Sequence, residues 1–300
     1  MPTDAPKVER QPAVNGLLLI SLATMVWASG GLFTRLLPFD LWTIVFWRGV
    51  FATVFIGVYV LYRFGRDTPV IIWRAGFDGV IVTLCSAATV VLFPAAFQHT
   101  TVANAFTILA ALPFVTSLIA WVWMGERPSG LTLTAAAVAM IGIVIMVGPS
   151  GGPGLGDLYA IAGTLTNALM IVAIRRNPQV AMLPMAWAAI ILSVVVAYPL
   201  ATQLWDLGPR DYLVAAGFGL GPMTLGMMLY VIGSASVPAA LSALVTTAEA
   251  PIGALWAWLG VGETPATATL TGGAIVLCSV VIRLLAQWCQ TPSAKGSEGV

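Results

Sequence analysis

Charge is what this 300-residue chain has least of: 8% of its residues are Asp, Glu, Lys or Arg, where a soluble domain carries roughly 25%. With 59% of the residues hydrophobic, a soluble enzyme or binding module is excluded. Histidine is almost missing as well, and His99 alone cannot supply the paired ligands of an H-E-x-x-H zinc site. The three cysteines, Cys85, Cys278 and Cys289, lie in or beside apolar runs without C-x-x-C spacing. Neither a disulfide framework nor a zinc site is expected from them. No G-x-x-x-x-G-K-[ST] loop occurs, so the chain does not hydrolyse ATP, and no cofactor or nucleic-acid partner is expected. Alternation of polar and apolar residues is also absent from stretches such as LVAAGFGLG and AAVAMIGIVIMVG. That argues against a transmembrane β-barrel.

What the chain has instead is apolar run after apolar run, each close to the about 20 residues a helix needs to cross a bilayer. Breaks marked by Pro, Gly and charge clusters place helices at 14–35, 41–62, 76–97, 101–124, 131–148, 156–175, 183–204, 212–233, 239–261 and 268–289. The expected fold is an all-α polytopic membrane protein with ten transmembrane helices. The first run follows a short polar stretch, MPTDAPKVERQPAVNG, has full spanning length, and is expected to be retained rather than cleaved. Cytoplasmic loops carry the excess of Lys and Arg. With the N-terminus inside, Lys7, Arg10, Arg63, Arg66, Arg74, Arg127, Arg175, Arg176, Arg283 and Lys295 fall on the cytoplasmic side, against Arg35 and Arg210 outside. Both termini are therefore expected to be cytoplasmic.

The sequence also repeats itself. LIAWVWMGERPSGLTLTAA, from Leu118, returns as LWAWLGVGETPATATLTGG, from Leu255, at a constant offset of 137 residues. Shared apolar composition explains some Leu and Ala matches, but not a second G-E-x-P followed by a second T-L-T. Gly16, Arg35 and Trp47 recur at an offset of 140 as Gly156, Arg175 and Trp187. The chain divides into a tail at 1–13, a five-helix repeat at 14–150, a second at 151–289 and a tail at 290–300. Because five is odd, the second repeat enters the membrane from the opposite side, which puts Glu126 near the cytoplasmic face and Glu263 near the outer one. Inverted repeats are a recurring construction of secondary transporters, since two related halves facing opposite ways can exchange inward-open and outward-open shapes.

Ten helices in a five-plus-five inverted arrangement, Pro113 and Pro251 inside helices 4 and 9, and a GE turn closing each of those helices resemble the EamA family of the drug/metabolite transporter superfamily. Within it the chain is similar to the YddG-type exporters of aromatic and other amino acids. The resemblance spans the whole chain. It implies a basket of helices 1–4 and 6–9 around a central cavity, helices 5 and 10 outside as scaffold, and a bacterial inner-membrane location.

Glu249 is the leading candidate for chemistry. If helix 9 begins near Ala239, a rise of 1.5 Å per residue puts Glu249 about 15 Å deep, where a carboxylate is costly. Ser242, Thr246 and Gly253 share its face by spacings of 4, 3 and 4, and Pro251 frees the carbonyl of residue 247. The matching place in the first half is Ala111. Glu249 either serves substrate and proton or ties helices together. Arg48 lies about 10 Å into helix 2, with Ala188 as its counterpart. It either holds a substrate carboxylate bidentately, snorkels to the interface, or pairs with an internal carboxylate. His99, in the turn between helices 3 and 4, is a proton carrier or a solvated residue. Asn104 and Asn167 line a cavity or join helices.

Trp42, Trp73, Trp205 and Trp288 suit an interfacial belt. Trp27, Trp47 and Trp187 are deeper and either offer faces to a substrate or pack against neighbours. Glu126 and Glu263 read as turn and capping residues, with a part in gating as the alternative. Pro113 and Pro251, together with Gly221 and Pro222 in AAGFGLGPMTLG of helix 8, are candidate hinges. The function expected is export of a small amphipathic metabolite, most readily an amino acid, by alternating access. The partners are a small-molecule substrate and the bilayer, with the chain a monomer or weak homodimer. Another metabolite class, such as a nucleoside, sugar derivative or drug, is the alternative. A passive channel or an intramembrane enzyme has less in its favour.

Overall fold

Apolar helices that satisfy their own backbone hydrogen bonds are the natural solution for such a sequence, and the computed structural model describes residues 13–147, 154–177, 181–237 and 239–290 in those terms. Most of the expected tails 1–13 and 290–300 lie outside the described residues, as do the side chains of Trp288 and Cys289.

The described helices group into ten rods. Rod 1 joins α1 (Ala13–Ala28) and α2 (Gly30–Leu36). Rod 2 is α3 (Leu41–Phe64), followed after a short turn by α4 (Thr68–Arg74). Rod 3 is α5 (Gly76–His99), and rod 4 joins α6 (Val102–Leu109) to α7 (Leu112–Met124). Rods 5, 6 and 7 are α8 (Gly130–Val147), α9 (Leu155–Arg176) and α10 (Met182–Ala197). Rod 8 runs from α11 (Pro209–Phe218) through a π-helical stretch, Gly219–Leu225, into α12 (Gly226–Ser234). Rod 9 joins α13 (Ala239–Thr246) to α14 (Glu249–Val261), and rod 10 is α15 (Thr267–Gln290). Six stretches, the longest being Leu41–Arg74, are long and apolar enough to cross a membrane, and Gly130–Met146, Met182–Ala197 and Thr267–Arg283 are shorter apolar helices.

Several boundaries depart from expectation. The segment after helix 2 is helical rather than a loop. Gly65, with φ 56°, stops α3, and Pro69 near the start of α4 meets no helical acceptor there. Helix 7 ends at Ala197 instead of 204, because Pro199 has no N–H to continue the ladder beyond the Tyr198 N to Val194 O bond. Helices 4 and 9 are broken, at Ala110–Ala111 and Thr247–Ala248.

The duplication reaches down to element boundaries. Val102, Leu112, Gly125 and Gly130 begin α6, α7, the turn and α8; Ala239, Glu249, Gly262 and Thr267 begin their counterparts, each 137 residues on. Gly125 (φ 72°) and Gly262 (φ 71°) both close their helices in the left-handed conformation that glycine adopts without steric cost. Packing follows a matching exchange: α5 lies along α9, and α12 lies along α1, so rod 3 meets rod 6 as rod 8 meets rod 1. Gly156 leaves no room for a Cβ against the His99–Thr100 backbone, and Gly16 none against Ser236 and Val237.

Lipid is as apolar as leucine, so small residues that let backbones approach decide where rods meet. Rods 5 and 10 show it plainly: α8 and α15 cross at Gly142 and Gly272, where an added Cβ would collide with the other helix's backbone. Large side chains face outward instead, with Val122 87% and Leu213 74% exposed. Such a surface suits acyl chains and not water.

Candidate functional site

Rod 2 meets the π-helical stretch of rod 8 at Arg48. A Cβ on Gly219 would lie 2.7 Å from the Arg48 carbonyl oxygen, so glycine is what allows the two backbones to touch. Pro222 lies inside this stretch, and the Thr224 hydroxyl donates to the Gly219 carbonyl at 2.8 Å across the widened turn. π-Helical turns recur at functional positions. The Arg48 side chain is 4% exposed. Its guanidinium carbon sits 4.7 Å from the Phe218 ring centroid, and its Nη2 donates to the Val90 carbonyl of α5. Its Nε has no partner, and among the described residues no carboxylate pairs with it. An aromatic face and a carbonyl offset part of the cost of burying a cation, but the charge itself has no counter-charge. Among the described residues, Thr53, further along α3, holds the other buried side-chain polar atom without a partner, its Oγ1.

Glu249 is the first residue of α14, directly after the break in rod 9. It is partly buried, and none of the described residues bonds to it. The face expected for Ser242, Thr246, Glu249 and Gly253 is not continuous, because the turn at Thr247 and Ala248 interrupts the helical spacing. Thr246 returns its hydroxyl to the Ala243 carbonyl, Ser242 is buried and engaged, and Gly253 packs against the Phe106 ring. The Thr247 carbonyl, expected to be free, accepts from the Ala250 N–H at 3.4 Å. By element boundaries the first-half counterpart of Glu249 is Leu112, not Ala111. Pro113 and Pro251 fall in the first turns of α7 and α14, where a missing N–H costs little. Arg48 and Glu249 do not pair with each other.

Several other candidates turn out to be engaged in packing. Trp47 donates its indole N–H to the Leu204 carbonyl at 2.9 Å and packs edge-on against Tyr212, 4.8 Å between centroids. Trp187 donates to the Thr53 carbonyl at 3.0 Å and closes on Gly57. Trp27 packs at a tilt against Tyr230, 5.1 Å between centroids, and fills the space over Gly226. Asn104 accepts from Thr269 at 2.5 Å and donates to Thr100 at 3.3 Å, tying α6 to α15. Asn167 is partly buried, and none of the described residues hydrogen-bonds to it. His99 lies 5.6 Å from Tyr159, ring to ring, and with Arg35, Asn104 and Thr269 lines a cavity of about 420 Å³. Gly221 has open space around its Cα, with the Val26 side chain as its nearest neighbour.

Sequence reasoning missed a second set of charges. Arg35, at the end of rod 1, donates Nε to Glu263 Oε2 at 2.9 Å and Nη2 to the Thr100 carbonyl at 2.9 Å. Glu263 also accepts the Val102 N–H at 2.6 Å, which caps the start of rod 4. Arg175, at the end of rod 6, donates Nη2 to both oxygens of Glu126, at 2.9 and 3.2 Å. Glu126 follows the end of rod 4, whose 23 residues make a rod about 34 Å long. The two ion pairs therefore stand at opposite ends of the bundle. Arg35 and Arg175 are repeat counterparts, as are Glu126 and Glu263, so each pair joins one half to the other. The repeat offsets held the signal, but it needed the exchange between halves to be read.

Comparison with known proteins agrees with this architecture. The profile of the EamA-like transporter family matches residues 14–148 and again 154–285. An uncharacterized transporter of Archaeoglobus fulgidus is 24% identical over 268 residues, covering 89% of this chain and 95% of that one. A chain of known crystal structure shares the fold with a TM-score of 0.61 at 20% identity, covering 93% of this chain and 99% of its own.

Proposed function

The chain belongs to the EamA-like transporter family, a membrane transporter with a small-molecule substrate, and we propose that it exports amino acids, aromatic and other neutral ones, by alternating access. The observation that carries this reading is the pair of uncompensated charges. Among the described residues, Arg48 is buried with no carboxylate paired to it, and Glu249, in the body of rod 9, has no cation paired to it. An isolated ionisable group at membrane depth is a functional site by default. A zwitterion supplies what each lacks, a carboxylate for Arg48 and an ammonium for Glu249. Asn167 completes the set as an amide with its hydrogen-bonding capacity free among the described residues.

The halves of this carrier, 14–150 and 151–289, are inverted relative to one another. Three exchanges support that arrangement: rod 3 on rod 6 with rod 8 on rod 1, Gly156 on the rod 3–4 turn with Gly16 on the rod 8–9 turn, and the two ion pairs. In the bacterial inner membrane, the excess of basic residues puts both termini in the cytoplasm, Glu126 at the inner end and Glu263 at the outer. The π-helical stretch with Gly221 and Pro222, and the breaks before Pro113 and Pro251, are where the rods bend. Protons are taken on Glu249, with His99 at the outer turn as a second carrier.

Counter-flow tests the carrier. Liposomes containing the purified protein and preloaded with unlabelled phenylalanine should accumulate labelled phenylalanine faster than empty ones. Equal uptake would remove alternating access, and stimulation only by a nucleoside or a sugar phosphate would move the substrate class.

A further inference from the structure

We infer that Arg35–Glu263 and Arg175–Glu126 are the two end latches of the bundle, and that the Glu263 latch holds its end shut the more firmly, so that the unloaded protein opens first at the Glu126 end. This rests on the carrier reading above. Both latches are made in this structure, and each bridges the halves that an opening must separate. Their positions match by the repeat, but their surroundings do not. At the Glu263 end the side chains are 28% and 16% exposed, and the carboxylate holds both the Arg35 Nε and the backbone N–H that begins rod 4. Arg35 is held by Thr100 as well, and Thr100 in turn donates to Asp157 of rod 6 at 2.9 Å. Opening that end breaks a linked set of charge-assisted bonds, which are the stronger kind. At the Glu126 end the side chains are 50% and 47% exposed, among the described residues Arg175 alone holds Glu126, and the neighbouring Arg176, itself 48% exposed, reaches Asp78 of rod 3 only at 4.0 Å. Exposed ion pairs are screened by water and hold little.

The consequence is an order of events that suits export. The weakly held inner end admits a cytoplasmic substrate, and only the loaded protein has the contacts to offset release of the outer latch. Arg35 of that latch also lines the cavity shared by His99, Asn104 and the start of rod 10.

Side-specific labelling tests it. In a chain with Cys85, Cys278 and Cys289 replaced by Ala, Thr34→Cys reports the outer end, since Thr34 is 2% exposed beside Arg35. Ile174→Cys, beside Arg175, reports the inner end. Glu263→Gln should raise labelling of Thr34→Cys by an impermeant maleimide from outside intact cells by at least fivefold, and lower that of Ile174→Cys in inside-out vesicles. Glu126→Gln should do the reverse, with a smaller rise. Should Glu263→Gln fail to reach the membrane, the Glu126→Gln arm stands alone and the same reciprocal change is required of it. Unchanged labelling, or a rise at both ends together, overturns the latches. If that happens while the wild type still shows counter-flow, the carrier reading survives. If counter-flow is absent too, that reading falls with them.

Discussion

Rods 4 and 9 start, break, resume and close at matching places 137 residues apart, each shut by a left-handed glycine and followed by a glutamate. At the first position after the break, however, rod 4 has Leu112 and rod 9 has Glu249. Rods 2 and 7 differ in the same manner, with Arg48 in one and Ala188 in the other. What the duplication preserves is the frame: breaks, turns, crossing points and end pairs. What it does not preserve is the charge at depth, one cation in the first half and one anion in the second. In the carrier proposed above the frame serves both halves because both would move, whereas a site between them would need each contact only once.

If that distinction is right, substitutions at unrepeated charges should alter transport, and those at repeated contacts should alter stability. The largest effect is expected for Arg48→Ala. A charge-assisted contact of about 3 kcal/mol corresponds to a loss of about a hundredfold in kcat/KM for substrates with a free carboxylate. Amidated analogues should lose only a few-fold, and equal losses would make Arg48 part of the frame. Glu249→Gln should reduce transport about tenfold and flatten its pH dependence, read as initial rates between pH 5 and 8. Exchanging the residues, as Leu112→Glu with Glu249→Leu, should not restore it, because the frame repeats and the site does not.

Stability should respond in the complementary way. Gly156→Ala sets a methyl against the His99–Thr100 backbone and should cost about 1–3 kcal/mol, seen as a lowered unfolding midpoint. Gly16→Ala meets mostly the Ser236 and Val237 side chains, which can give way, and should cost less. Gly130→Ala, with nothing within 4 Å, should be neutral or stabilising by up to about 1 kcal/mol. A pH-dependent effect concerns Asp40, the N-cap of α3. Partial burial pushes its carboxyl up, but hydrogen bonds from Thr43 and Thr202 outweigh that and hold it below its ordinary value. Its contribution is present above the unfolded value, about 3.9, and lost as pH falls through the folded one. Asp40→Ala should cost about 1 kcal/mol at pH 7, and the gap to wild type should close on acidification. A gap that stays constant to pH 2 would assign the effect to the hydroxyl partners alone.

The frame was largely legible from residues. Apolar runs of spanning length, punctuated by Pro and Gly, gave the ten rods, and the second G-E-x-P exposed the duplication because polar residues are so scarce that two matching clusters stand out. The breaks were harder. Pro251 announced a disturbance in rod 9, but the turn falls four and three residues before it, at Thr247 and Ala248, starting at the carbonyl whose helical donor the proline lacks. Side-chain roles were least legible. Trp47 and Trp187 look alike as deep tryptophans, and only their indole N–H partners, Leu204 and Thr53, reveal them as struts. Asn104 and Asn167 are both amides in apolar helices, yet the first is tied to Thr269 while none of the described residues bonds the second. Such distinctions depend on which rod lies opposite, and a single sequence does not state that.

Everything proposed for this protein requires its two halves to lie upside down to one another. The direct measurement is the side of the membrane on which the Gly125–Ser129 and Gly262–Pro265 turns emerge, read by placing a single accessible tag in each and probing intact cells and inside-out vesicles in parallel. The account predicts the first turn reachable only from the cytoplasm and the second only from outside; both turns reachable from one side would contradict it.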